Sequence, residues 1–484
     1  MYSFLISVAA LVAGFLLYGA FVERVFGPDP GRKTPAVAKA DGVDYMVLPT
    51  WKVFMIQFLN IAGTGPIFGA IMGAKFGPAA YLWIVFGCIF AGAVHDYLSG
   101  MLSIRHGGAG YPDLVGEYLG QGTKKVMLVF SILLLLMVGA VFVYSPAVIL
   151  DGIAGNGGRG SMMVWIGIIF AYYVVATLLP IDKIIGRIYP LFAFALLFMA
   201  VALMVCLLVK WPSLPEFWDG LQNRGPSLGL QGQPIFPCLF ITIACGAVSG
   251  FHATQSPLMA RCLKNEKLGR PVFYGSMITE GLVALVWAAI SSYFFFDGGA
   301  AEVGSDLSAA APTVVTKVSR SWLGVLGGIL AMLGVVAAPI TSGDTAFRSA
   351  RLIIADFFHV DQRPMLKRLY IAVPLFLLSG LLLWFNVADE NGFNTVWRYF
   401  GWANQTLSVF MFWTATVYLV RNKGGLYYLI TLVPGLFMTS VCTTFILVEK
   451  IGLGLPKTWI PWIALSTFAI SAILFYLWKY RKNR

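Results

Sequence analysis

KVFMIQFLNIAGTGPIFGAIMGA, residues 52–74, is long and apolar enough to cross a bilayer, yet it breaks in its middle. About twenty apolar residues span a ~30 Å hydrocarbon core as one helix. Here the run meets Asn60-Ile61-Ala62-Gly63-Thr64-Gly65-Pro66. Each glycine costs a helix about 1 kcal/mol relative to alanine, and Pro66 has no backbone N–H to donate. Freed backbone groups are tolerated at membrane depth only where they are buried in protein or line a cavity. Proline suits the first turn of a helix, so Pro66 is expected to begin the second half of this span.

A second interrupted run, at 236–262, breaks at Cys245-Gly246-Ala247-Val248-Ser249-Gly250-Phe251-His252. Beyond it, Ser256-Pro257 reads as a helix N-cap followed by proline at the first helical position. The broken spans lie five helices apart and therefore cross in opposite directions. That pattern matches two inverted repeats of five helices, an architecture in which paired discontinuous helices form a binding site at the midplane. The competing reading is close helix packing through small residues, which suits Gly69 and Gly73.

Composition agrees with a membrane setting. Of 484 residues, 58% are hydrophobic and 12% charged, with a mean hydropathy of +0.79. A soluble domain carries roughly twice that charged fraction. Apolar runs predict thirteen spans, at 3–23, 52–74, 78–104, 124–150, 161–180, 187–210, 236–262, 271–296, 322–343, 366–386, 394–420, 425–448 and 459–480. The first has no basic leader and no small-residue cleavage site, so it reads as a span and not as a signal peptide. About 25 of the 34 Lys and Arg fall in one alternate set of loops, including 105–125, 181–187 and 261–270. This bias predicts an external N-terminus and a cytoplasmic C-terminus, and explains the net charge of +12 without a nucleic-acid partner.

The expected organisation is an additional N-terminal helix and cytoplasmic loop (1–50), two five-helix repeats (51–235 and 236–420), and two C-terminal helices (421–484). Residues 344–360 either continue the ninth span or lie along the membrane surface. The six cysteines include no CxxC pair or zinc spacing and read as packing residues.

Charged groups inside spans are costly and are therefore functional candidates. His95-Asp96 and Glu280 each follow a broken span by one helix, and His252 adjoins the second break. Imidazole and carboxyl groups in such positions are suited to taking up and releasing protons, which makes His95, Asp96, His252 and Glu280 coupling candidates. Half-helix N-termini offer N–H groups to a carboxylate. Candidate substrate contacts are Asn60, Gly63, Thr64, Gly65 and Pro66 at the first break, and Ser249, Gly250, His252, Gln255 and Ser256 at the second. The first break has no Asp, Glu, Cys or Met, which argues for an organic anion over a metal ion. Ala62, Thr341 and Ser342 form a sodium-like site, unless the hydroxyls bond to their own helix. Asn404 and Gln405 are either polar site groups or interhelical glue.

Five segments carry a family resemblance: GTGPIFGAIMGAKFGPAAYLW (63–83), HDYLSGMLSIRHGGAGYPDLVGEYLG (95–120), GFHATQSPLMARCLKNEKLGRPVFYGSMITEG (250–281), PITSGDTAFRSARLIIADF (339–357) and FGWANQ (400–405). Together they resemble the carbon starvation protein A (CstA) family. The resemblance implies an all-α polytopic protein of the LeuT-type five-plus-five inverted repeat, within the APC superfamily. It also implies uptake of peptides or pyruvate under carbon limitation, with proton symport.

The expected protein is thus an inner-membrane secondary transporter, not an enzyme. It would carry a small carboxylate, a peptide or an amino acid, with H⁺ or Na⁺ as coupling ion and no cofactor or resident metal. An intramembrane redox or haem protein would need axial histidines across a cavity. A receptor without transport is the remaining alternative.

Overall fold

In a computed structural model, the described residues are 1–41, 45–154, 159–178, 185–358, 360, 364–389 and 392–482. They are mostly helical, with no strand among them. Part of the basic loop expected at 181–187 and the last two residues of the basic tail lie outside this set. Among the described residues, ten helices are long and apolar enough to cross a membrane, and Thr50–Ile61 with Gly65–Ala74, bent by 54°, makes an eleventh when counted as one span. The two remaining expected spans are helical but fall short of that test among the described residues. One is divided into short pieces around its break, and the other, Gly392–Asn422, carries Arg398, Asn404 and Gln405 in mid-sequence. Polar groups of this kind belong inside the protein, away from lipid.

Burial sorts the helices accordingly. Ala79–Arg105, Glu266–Phe296 and Gly327–Ala355, which carry His95, Asp96, Glu280, Thr341 and Ser342, are buried over most of their length. Tyr2–Phe26, Met365–Ala388 and Lys457–Arg481 are largely exposed, and they present side chains such as Leu17, Leu377, Trp384, Trp462 and Leu474. Apolar exposure on this scale would be a liability in water and is ordinary against lipid. The chain is a multi-pass membrane protein.

The central packing is between Gln121–Ala154 and Ala311–Phe357, the most extensive helix pair among the described residues. Pro146 lies inside the first of these and deprives the Phe142 carbonyl of its helical donor. The Tyr173 hydroxyl lies 2.9 Å from that carbonyl and from the Pro339 carbonyl, and so supplies a replacement.

The ninth span differs from its expected 322–343 bounds. Its helix runs from Ala311 to Phe357 around a kink at Gly324, so residues 344–357 continue the span and do not lie along the surface. Arg348 and Arg351 are buried, and Arg348 Nη2 donates to the Ala176 carbonyl at 2.8 Å.

Candidate functional site

The first break falls where the sequence placed it. Helix ends at Ile61, Ala62 turns away at φ −83°, ψ 60°, and helix resumes at Gly65 with Pro66 in its first turn. The second break is wider. Helix stops after Thr242, Gly246 sits at φ +91°, and the chain re-enters helix at Phe251. This corrects the expected start at Ser256-Pro257. Pro257 lies inside the Phe251–Ala260 helix, and the Ser256 hydroxyl donates to the His252 carbonyl at 3.0 Å. The cap comes from another helix. Asn404 Oδ1 accepts from the Phe251 N–H at 2.8 Å and the Ser249 hydroxyl at 3.0 Å, and its carbonyl accepts from the Gly250 N–H at 3.1 Å. Gln405 likewise donates to the Phe240 carbonyl at 2.9 Å, so both residues tie helices together.

The two breaks face each other at backbone distance. A Cβ on Gly65 would stand 2.3 Å from the Cys245 Cβ, and one on Gly246 would stand 2.5 Å from the Ala284 Cβ. Only glycine permits that approach, and at Gly246 it also permits the positive φ. Helix Ala79–Arg105 closes on the same place, where a Cβ on Gly92 would meet the Ala247 carbonyl at 2.2 Å.

Against this junction lies a chain of buried ionisable side chains from three elements. His95 Nδ1 and Asp96 Oδ1 are 2.8 Å apart, and Asp96 Oδ2 is 2.8 Å from His252 Nδ1. His252 Nε2 in turn faces Glu280 Oε2 at 3.5 Å. All four side chains are fully enclosed. Both Glu280 oxygens, His252 Nε2 and His95 Nε2 have no hydrogen-bond partner. An imidazole nitrogen and a carboxylate oxygen at this separation would oppose lone pairs unless one of them carries a proton. The pair is therefore a natural place to hold one proton. Cys245 Sγ completes a group with His252 and Glu280 whose ligand-type atoms lie within 4.8 Å of one another. Sequence reasoning treated Cys245 as packing only; its adjacency to the second break was the available signal.

The other candidates divide. Asn60 Oδ1, Thr64 Oγ1 and Gln255 Oε1 are buried at the breaks without partners, while Gln57 Nε2 reaches Ser256 Oγ only at 3.5 Å. Ser342 Oγ donates to the Leu59 and Asn60 carbonyls at 3.2 and 3.3 Å, which ties the long helix to the first break. Thr341 Oγ1 bonds instead to the Ala337 and Ala338 carbonyls of its own helix. A void of about 10 Å³ touches Gly65 and Cys245, room for about one water. Beside it lies a cavity of about 410 Å³, which shares Ile241, Thr242 and Trp397 with the void.

Comparison with known proteins places this architecture. An uncharacterized membrane protein of Haemophilus influenzae is 48% identical over 336 residues, covering 60% of this chain and 91% of its own. The Escherichia coli K12 peptide transporter CstA is 27% identical, covering 90% and 79%. The pyruvate/proton symporter BtsT of the same organism is 25% identical, covering 92% and 81%. In structure, the chain is similar to a manganese transporter of Eremococcus coleocola, with a TM-score of 0.58 at 11% identity, over 91% of this chain and 98% of that one. At that identity the likeness shows the fold alone. The profile described as "Carbon starvation protein CstA" matches residues 1–156, 158–326 and 307–445, and the chain belongs to that family.

Proposed function

We propose that the chain is a proton-coupled secondary transporter that imports a small organic carboxylate such as pyruvate across the inner membrane. The observation that carries this reading is the enclosed series His95–Asp96–His252–Glu280, set against two helix breaks that face each other. A proton held between His252 and Glu280 neutralises buried charge, and its release alters the packing of the element that bears the second break. Ion occupancy is thereby coupled to the shape of the substrate site. The unpartnered Asn60, Thr64 and Gln255 oxygens and the backbone at Gly63–Pro66 and Ser249–Gly250 are the proposed substrate contacts, with His252 and Ser256 beside them.

The proposed frame is the LeuT-type pair of inverted five-helix repeats, 51–235 and 236–420. The 1–50 helix and loop and the 421–484 helices lie outside the repeats, with the N-terminus external and the C-terminus cytoplasmic. Both breaks five helices apart, and the fold match to a transporter, support this arrangement. Ala62, in the first break, with Ser342 bonded beside it to the Leu59 and Asn60 carbonyls, is the proposed place for a sodium-type ion; Thr341 is the weaker member, since its hydroxyl is engaged by its own helix.

Peptide import is the second reading, favoured by the names of several relatives. Labelled pyruvate and dipeptide uptake into proteoliposomes, under an imposed proton or sodium gradient, tests all of this. Accumulation of pyruvate with the proton gradient alone is expected. Accumulation of peptide alone, or dependence on sodium alone, overturns the corresponding part.

A further inference from the structure

The cavity of about 410 Å³ beside the breaks lies in the size range of ligand sites, and its charged lining residues are of one sign. Its charged lining residues are Lys75 and Arg398, both basic. Arg398 is answered by Glu449, with which it forms an ion pair, and Lys457 lies 3.9 Å from the other oxygen of the same carboxylate. Lys75 has no carboxylate within ion-pair distance among the described residues. Its ammonium lies 4.9 Å from the ring centre of Phe295. The rest of the lining is largely apolar, with Trp397, Phe393 and Phe445 on one side. Among the charged lining residues, Lys75 is thus the one without a carboxylate partner in an otherwise largely apolar chamber. The chamber adjoins the void that touches Gly65 and Cys245.

We propose that this cavity is a separate entry site that captures small organic monoanions through Lys75 before they reach the breaks. The inference rests on the transport reading for its purpose, but not for its binding chemistry. One ammonium matches one carboxylate, and the aromatic walls accept a short organic body while lowering the local dielectric. Arg398 and Lys457 share the Glu449 carboxylate, so this group leaves no negative charge to oppose an anion at Lys75. Lys75 also follows the last residue of the Gly65–Ala74 half-helix, where a cation complements the helix C-terminus. That purely structural role is preserved in any variant that keeps the charge but not the ammonium geometry, and it does not depend on added anion.

The test uses full-length protein in detergent and in proteoliposomes. Tryptophan fluorescence is titrated with sodium pyruvate at constant ionic strength, and Trp397→Phe identifies the reporter. Lys75→Gln is expected to weaken the anion-dependent signal roughly tenfold, the scale of one lost charge-assisted hydrogen bond. It should raise the uptake KM by a similar factor while leaving kcat within about twofold. Lys75→Arg is expected to recover most of both, and a Lys75→Gln melting temperature within a few degrees of wild type excludes misfolding as the cause. Wild-type protein that shows no anion-dependent signal, or Lys75→Gln that titrates like wild type, overturns the entry site. A Lys75-dependent signal without any uptake by wild type supports the site and defeats the transport reading instead.

Discussion

Asp96 Oδ2 lies 2.8 Å from His252 Nδ1, although the two residues are 156 positions apart in the chain. The contact joins a continuous helix to the first turn of a broken one, and it fixes which imidazole nitrogen faces Glu280. Asp96 thus orients His252, and the proposed proton site is the His252–Glu280 pair that this orientation sets up.

Replacing Glu280 with Gln removes the site where a proton can be held, while preserving shape. Proton-driven accumulation is expected to fall to the level of downhill exchange, with the thermal transition of the purified protein shifted by no more than a few degrees. Asp96→Asn should lower coupled uptake as well, because His252 loses the acceptor that orients it. Wild-type accumulation in both variants would remove the cluster from the mechanism.

Gly65→Ala places a methyl group against Cys245, at 2.3 Å from its Cβ. Overpacking of this kind costs about 1–3 kcal/mol. A lowered melting temperature and impaired uptake are expected. The double variant Gly65→Ala with Cys245→Gly should recover stability, since the opposing side chain is gone. Additive losses in the double variant would show that the two breaks do not press on each other.

Asn404→Ala leaves the Phe251 N–H and the Ser249 hydroxyl without their acceptor. N-cap removal costs about 0.5–2 kcal/mol. Asn404→Asp keeps the acceptor oxygen and should retain more of the stability than Ala. Differential scanning of the three proteins in one detergent decides the matter.

Glu216 lies outside the spans and accepts the Tyr2 N–H at 2.9 Å and the Ser3 N–H at 2.6 Å. Burial alone would raise its carboxyl, but hydrogen bonds from the chain's amino group and from Ser3 hold it below the usual value. A depressed carboxyl contributes stability that is present above its unfolded pKa of about 4.3 and lost as pH falls through the folded value. Acidification below about pH 4 should therefore loosen the docking of Tyr2–Phe26, measured by proteolysis near residue 27. Glu216→Gln should be looser at neutral pH and show less change on acidification.

Local chemistry was enough to determine much of this protein. Apolar length, basic-loop asymmetry and the Gly-Pro content of residues 60–66 identified a membrane chain and its first broken helix to within a residue. Those signals are local because helix propensity and bilayer thickness act on contiguous residues. The tertiary structure alone decided the second break, where Ser256-Pro257 carried the local signature of a helix start. Asn404 caps the chain at Phe251 from another helix, and a hydrogen bond between distant segments overrides a weak local preference. It also decided which ionisable groups meet: His95 and Asp96 were adjacent on the page, but their junction with His252 and Glu280 exists only because two glycine-lined breaks allow the helices to close. Lys75 was a lone lysine in a basic-poor loop until packing left it, among the charged lining residues of a cavity, as the one without a carboxylate partner.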